Sequence, residues 1–344
     1  MIPNKLKLIK SISSNILLKK PIPFILLFEP SQMCNCKCTF CYHWKEDHKN
    51  ELTTDEINRV LKEAYKLGCG YLLFNGGEPF VNSHVEYIIK TAYNIGYDIS
   101  ITTNGYLLMD NIEKYGRYID SITVSIDYPD NRHDIDRKLP GLFDRAIAGI
   151  KETKKYVKNI RINYNIHQKN YKDIRKICEI AKELGVQVYF RFLISEVDNL
   201  DDWLIKDKEL INKIILEIKD LKKRYPIITS DIVLDYTYTK KNFKCLASTF
   251  IMNIDSMGRV YNSCLLHENK KDSIFGNIRE NSLKEIWYSE LARDIRGINY
   301  KCIPKFDCYA SCIIEPSLLL KPDFKYWREY IFGNTVGSFF KKIK

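Results

Sequence analysis

The chain is predicted to be an α/β protein, a partial (β/α)6 parallel barrel followed by a small cysteine-rich α+β domain. Three observations predict it. From Phe24 to about Arg224, short β-rich runs alternate with stretches of helical periodicity, and repeated β-then-α units with right-handed crossovers build a parallel sheet flanked by helices. Past Pro226 the texture changes to short strands, a hairpin signal and clustered cysteines. The length, 344 residues, suffices for one large domain and a smaller one. Periodicity alone leaves a doubly wound open sheet as the alternative to a partial barrel. The boundaries read as a basic N-terminal extension over 1–23, the barrel over 24–225, the cysteine-rich domain over 226–316 and a tail over 317–344.

Each element has its own signal. Phe24–Phe28 reads as a first strand. Thr53-Thr54-Asp55-Glu56 is a capping box, after which Ile57, Val60, Leu61, Ala64 and Leu67 recur at helical spacing until Gly68 and Gly70. Tyr71–Phe74 is strand two, Ile99–Thr103 strand three, Ile122–Ile126 strand four, Arg161–Ile166 strand five and Val186–Leu193 strand six. Helices fall near 85–95, 107–117, 142–156, 171–184 and 207–224. Beyond them, Ile232–Tyr236, Phe250–Asp255 and Val260–Tyr261 read as short strands, with Ser256-Met257-Gly258 as a hairpin turn.

Composition narrows the function classes. Apolar and charged fractions of 45% and 28% are those of a soluble globular protein. The apolar run Ile22–Phe28 is far shorter than a membrane span and lacks a signal-peptide cleavage site, so a cytoplasmic protein is expected. Eleven cysteines in a chain of this size point to metal rather than to a disulfide framework. Nine fall in two groups, 34, 36, 38, 41 and 245, 264, 302, 308, 312, whereas Cys69 and Cys178 read as small buried hydrophobes. The formal charge of +11 is uneven: residues 1–28 hold five lysines and no acid, and the stretch from Lys321 holds six basic residues against Asp323 and Glu329. No nucleic-acid module is visible, so no nucleic-acid partner is expected. A solvated lysine-rich surface comes first, then an acidic substrate or an anionic membrane surface. Ile9, Ile12, Ile16 and Leu17, with Tyr330-Ile331-Phe332 and Phe339-Phe340-Lys341-Lys342, suit peripheral membrane contact or docking onto the barrel.

The chemistry-bearing motifs begin with Cys34-Asn35-Cys36-Lys37-Cys38-Thr39-Phe40-Cys41, a C-x3-C-x2-C run. Three thiolates in one loop suit an iron–sulfur cluster, which is normally held by four cysteines, and leave one iron without a local ligand. Structural zinc prefers four closed ligands on two paired arms. Cys36 lies between the others and is expected to point away. Next, Asn75-Gly76-Gly77-Glu78-Pro79 follows strand two. Gly76 and Gly77 permit a close backbone approach, and Glu78 can accept from an ammonium group. Thr103-Asn104-Gly105 and Ser125-Ile126-Asp127 end strands three and four, placing small polar side chains at the strand rim where ligands of parallel α/β folds bind.

This ordered set, over roughly residues 24–316, resembles the radical S-adenosylmethionine (SAM) superfamily. The resemblance implies that Cys34, Cys38 and Cys41 hold a 4Fe–4S cluster whose open iron chelates SAM, and that Phe40 lies against adenine. It implies that Gly76, Gly77 and Glu78 serve the methionyl amine and that Ser125, Asp127 and Asn104 serve ribose and carboxylate. His133-Asp134-Ile135-Asp136-Arg137 resembles a segment whose arginine, here Arg137, pairs with the cofactor's carboxylate. Asn163 or Asn165 on strand five, and Arg191 on strand six, either complete this site or are plain surface polars.

Cys245-x18-Cys264 and Cys302-x5-Cys308-x3-Cys312, flanking Phe275-Gly276-Asn277 and Leu283-Lys284-Glu285-Ile286-Trp287, resemble the SPASM/twitch extension that holds auxiliary 4Fe–4S clusters. The full pattern needs a cysteine where Asn299 stands and another after Cys312, which this chain lacks. One auxiliary cluster is therefore expected, on Cys245, Cys264 and Cys312 plus Cys302 or Cys308, with zinc as the alternative. The family implies reductive cleavage of SAM to a 5′-deoxyadenosyl radical that abstracts a substrate hydrogen, with a reductant such as flavodoxin or ferredoxin. Oxidative modification of a peptide or protein is expected first and oxidation of a small or lipid-linked molecule second. From another class, the rival is a non-catalytic iron–sulfur electron-transfer or metal-binding protein.

Overall fold

A computed structural model describes residues 4–46, 49–194, 200–239, 245–262 and 273–300, together with Ser317. Five β-then-α steps lead the chain from β1 (Ile25–Phe28) through β2 (Tyr71–Phe74), β3 (Asp98–Thr103), β4 (Ser121–Ser125) and β5 (Asn159–Ile166) to β6 (Gln187–Phe192). The strands stand in sequence order and every neighbouring pair is parallel. Each crossover therefore runs the same way, and the helices between strands gather on one side. Those helices are α2 (Thr54–Leu67), α3 (Val85–Ile95), α4 (Leu108–Tyr115), α5 (Arg132–Arg137), α6 (Leu142–Thr153) and α7 (Ile174–Leu184), and α8 (Lys208–Leu221) follows β6. The expected capping box opens α2: Thr53 accepts from the Glu56 N–H while Glu56 reaches back to the Thr53 N–H.

The period of two in the strands sorts the two faces of the sheet. Leu26, Phe28, Leu72, Phe74, Ile99, Ile101, Ile122, Val124, Ile160, Ile162, Val188 and Phe190 lie in the main hydrophobic core. The alternate positions of the last four strands are polar: Ser100, Ser121, Ser125, Arg161, Asn163, Asn165 and Arg191. Burying one face under helices and leaving the other polar builds an open trough rather than a filled barrel. Cys69 and Cys178 are fully buried in the core, as expected.

The strands past residue 245 extend the same sheet. β7 (Ile251–Ile254) lies parallel beside β1, and β8 (Arg259–Tyr261) and β9 (Ile274–Asn277) continue antiparallel, giving nine strands in the order β6-β5-β4-β3-β2-β1-β7-β8-β9. Gly258, at φ +77°, makes the expected β7–β8 turn. The strand expected at Ile232–Tyr236 is instead α9 (Asp231–Thr239). Its β-branched and aromatic residues suggested a strand, but Ser230 Oγ accepts the Val233 N–H at 3.2 Å, and Val233, Tyr236 and Thr237 are buried at helical spacing. Packing overrides intrinsic propensity there.

α10 (Ala247–Phe250), α11 (Leu283–Tyr288) and α12 (Glu290–Tyr300) complete the described elements, together with α1 (Asn4–Leu17) at the start. Trp287 of α11, fully buried, donates Nε1–H to the Pro21 carbonyl at 3.0 Å. The expected N-terminal extension is thus a docked helix. No helix among the described residues is long and apolar enough to cross a membrane.

Candidate active site

The cysteine loop leaves β1 and is pinned from three directions. Beyond β2, the Gly77 and Glu78 N–H groups donate to the Ser31 and Met33 carbonyls at 3.1 and 2.8 Å. From the last residues of α5, the Asp136 and Arg137 carbonyls accept the Thr39 and Lys37 N–H groups at 3.2 and 3.1 Å. Beyond β3, Asn104 Nδ2 donates to Asn35 Oδ1 at 2.6 Å. Three elements distant in sequence therefore share the work of shaping one loop.

The two glycines answer to this loop. A Cβ at Gly77 would lie 2.1 Å from the Met33 carbonyl oxygen, and one at Gly76, whose φ is +102°, would lie 2.8 Å from that of Ser31. The close approach expected toward a ligand is made to the loop's own backbone. Glu78 is likewise engaged by the protein: it accepts from Thr103 Oγ1 and the Asn104 N–H, both at 2.7 Å, and from the Phe80 N–H at 3.3 Å. Burial pushes its carboxyl up to about 7 against the pull of these donors. In this geometry Glu78 ties the end of β2 to the end of β3.

Cys34 and Cys41 are half-buried, whereas Cys36 and Cys38 are buried. Cys36 is buried in the same loop and its N–H donates to Cys34 Sγ at 3.4 Å. Its proximity holds the Cys34 and Cys38 thiols below their ordinary value and pushes Cys36 itself up. The Arg137 guanidinium adds to the depression at Cys38. Three thiols at the rim, two of them biased toward thiolate by a donor and a nearby cation, suit iron–sulfur ligation. Among the described residues no three His, Cys, Asp or Glu side chains converge on one ion-sized point; a cluster spreads its thiolates over separate irons.

Arg137 and Asp127, expected as separate cofactor contacts, are each other's partners. Arg137 donates to Asp127 Oδ2 from Nε at 2.8 Å and from Nη2 at 2.6 Å, and both side chains are buried. Burial pushes Asp127 up, but Arg137, with His133 and His167, pulls it below the usual carboxylate range. A buried carboxylate needs such a cation, and the pair sits directly behind the loop. Ser125 ends β4 in register with Asn163 of β5. Asn165 accepts from Arg191 Nε at 2.5 Å and from Asn163 Nδ2 at 3.4 Å. Ser125, Asn163 and Arg191 thus lie along the polar side of the trough. Cys245 is half-buried beside α10; Cys264, Cys302, Cys308 and Cys312 lie outside the described residues.

Sequence reasoning missed two features. Phe40 packs against Trp203 at 5.6 Å between ring centroids and His167 at 6.5 Å, and His167 lies 4.7 Å from Trp203. Burial lowers His167 to about 4, so it stays neutral. No local motif marks Trp203. The second is a buried relay: Tyr261 Oη donates to Glu29 at 2.9 Å, Gln32 Nε2 donates to Glu29 at 2.9 Å, and His43 Nδ1 lies 2.6 Å from Gln32 Oε1. It links β8 to the residue two positions past Cys41. Its only sequence signal is a polar triplet spacing at the end of β1, which is weak.

The radical SAM superfamily model matches residues 28–181, and the SPASM model, an iron–sulfur cluster-binding domain, matches 245–314. An AdoMet-dependent heme synthase of Methanosarcina barkeri is 29% identical over 301 residues, covering 80% of this chain and 85% of that protein. A PqqA peptide cyclase of Granulibacter bethesdensis is 27% identical over 307 residues, covering 83% and 79%. The fold is shared with Streptococcus suis SuiB bound to its precursor peptide SuiA, at a TM-score of 0.68 and 20% identity over 85% of this chain and 70% of that one. The chain belongs to the radical SAM superfamily and carries a SPASM domain. It is an enzyme whose cofactors are SAM, a 4Fe–4S cluster and auxiliary iron–sulfur, and the non-catalytic alternative falls away.

Proposed function

We propose that this enzyme oxidatively modifies a peptide or protein. The observation that carries the reading is the pairing of a radical SAM domain with a SPASM domain in a chain that matches a peptide cyclase over most of its length; the SuiB fold, recorded with a bound peptide, is in keeping with it.

Cys34, Cys38 and Cys41 would hold the SAM-binding cluster, and Cys245, Cys264 and Cys312 plus Cys302 or Cys308 the single auxiliary one. When bound, these groups and SAM supply reductive cleavage, hydrogen-atom abstraction and electron transfer. The protein's own residues position and shield. Glu78 and the two glycines hold the loop against β2 and β3. Asn104, Ser125, Asn163 and Arg191 offer hydrogen bonds to the cofactor's ribose and carboxylate. Arg137, held in place by Asp127, biases Cys38 toward thiolate. Phe40, Trp203 and His167 keep water from one flank of the site. A flavodoxin or ferredoxin would deliver the electron, and cysteine-held clusters suit a reducing cytoplasm.

The identity to a heme synthase favours a second reading, oxidation of a small molecule such as a tetrapyrrole. Reduced, reconstituted enzyme incubated with SAM and a pool of peptides separates the two. Peptide modification predicts a peptide product lighter by a pair of hydrogens and faster 5′-deoxyadenosine release than without peptide. No peptide product, with acceleration by an iron porphyrinoid instead, would contradict it.

A further inference from the structure

We propose that α1 docks this enzyme on an anionic lipid surface through its outward face. An amphipathic helix on a globular protein ordinarily turns its apolar stripe inward. In α1 the innermost face is polar: Asn4, Lys7, Ser11 and Ser14 are buried. Each answers a backbone carbonyl: Asn4 Nδ2 that of Gly96 at 2.9 Å, Lys7 Nζ that of Tyr65 at 2.7 Å, Ser11 Oγ that of Ile22 at 2.5 Å and Ser14 Oγ that of Lys20 at 3.0 Å. Two of those carbonyls, Tyr65 and Gly96, stand at the C-terminal ends of α2 and α3, where helix carbonyls run short of intrahelical donors. The polar face is therefore committed to docking and is not available to solvent.

Apolar side chains are left outside as a result. Leu6 is 54% exposed, Ile9 60%, Leu17 76% and Leu18 73%. Leu6, Ile9 and Leu17 fall on one stripe of the helix, at spacings of three and eleven residues, and exposed Leu18 follows the helix end. Ile12 and Ile16, expected to share this surface, pack instead against the small core around Phe24 and Phe250. Exposed apolar residues taken singly are ordinary, but three on one helix stripe with a fourth just past its end are not scattered. They are flanked by Lys5, Lys10, Lys19 and Lys20, all exposed, in a segment without an acidic residue from Met1 to Phe28. An apolar stripe edged with lysines matches the acyl boundary and anionic headgroups of a bilayer, which reward both parts at once. Near-by Tyr288, with the Lys20 ammonium 5.9 Å from its ring centroid, is a side chain suited to the headgroup level. A helix of 14 residues lies in such an interface rather than crossing it. The assignment does not depend on which substrate the enzyme takes.

Co-sedimentation of the reconstituted full-length enzyme tests it, with vesicles of phosphatidylcholine alone and of phosphatidylcholine mixed equally with phosphatidylglycerol. Two variants are compared, L6S/I9S/L17S/L18S and K5Q/K10Q/K19Q/K20Q; iron content and helical circular dichroism report that each has folded. Wild type is expected to pellet with the mixed vesicles only. Both variants should partition at least about tenfold more weakly, since each removes one of the two parts of the attraction. Three results would each overturn the proposal. Wild type could remain in solution with both vesicles. The serine variant could pellet as wild type does, giving binding to another surface. Light scattering could show a dimer that the serine substitutions make monomeric, giving the face to a second copy.

Discussion

Gly77 shows how tightly single residues set this site. With a methyl group due 2.1 Å from the Met33 carbonyl oxygen and 2.6 Å from that of Gln32, Gly77→Ala must displace the cysteine loop, and iron bound after reconstitution is expected to fall well below wild type. Glu78 makes a pH prediction. Its folded-state value, about 7, lies above its ordinary 4.5, so between those values the folded chain holds a proton that the unfolded chain has released. The stability tied to Glu78 is full below pH 4.5 and is lost as pH rises through about 7, by on the order of 1–3 kcal/mol. Denaturation midpoints against pH should show this fall in wild type, and Glu78→Gln should lack it. Arg137→Ala strands the Asp127 carboxylate and is expected to cost about 3–5 kcal/mol, part of which Asp127→Asn in the same chain should return. A parallel fall in both the single and the double variant would refute the pairing. At this scale the motif residues were legible, because ligands and glycines recur at short spacing. Their partners were not: Asp127 with Arg137, or Gly77 with Met33, are contacts set by the fold rather than by local pattern.

Among the elements, those with a local start signal were readable. The box at Thr53 and Glu56 opens α2, and Ser282 with Glu285 forms a second box that opens α11. α9 was not readable, because its β-branched residues favour a strand and only its packing against α8 makes the helix. Ser230→Ala removes its N-terminal acceptor and is expected to cost about 1 kcal/mol, measured by urea denaturation; no change would leave the helix start unexplained. For α1 the sequence left membrane contact and docking both open, because the Gly96 and Tyr65 carbonyls that draw Asn4 and Lys7 inward lie far along the chain. α11 closes the far side of the sheet: Trp287 is fully buried, and Arg296 stacks over it at 4.1 Å while donating to its carbonyl at 2.8 Å. Trp287→Ala should lower stability by about 3–5 kcal/mol, and a near-neutral change would mean that α11 is not part of the core.

In the whole molecule, one sheet carries both the SAM site and the first strands of the SPASM region, and the Tyr261–Glu29–Gln32–His43 relay runs through the join. The alternation of strands and helices foretold the parallel part. That β7 would pair with β1 was not legible, since strand order across a long connection leaves no local trace. The resulting account divides the cysteines into two thiolate sets, one on the loop after β1 and one in the SPASM region. Iron and sulfide analysis with Mössbauer spectra tests this most directly, on anaerobically reconstituted wild type and a Cys34/Cys38/Cys41→Ala triple variant. The account predicts about eight irons per chain falling to about four, all in 4Fe–4S form. About four irons falling to none would contradict it, leaving the C-terminal cysteines without an iron–sulfur cluster.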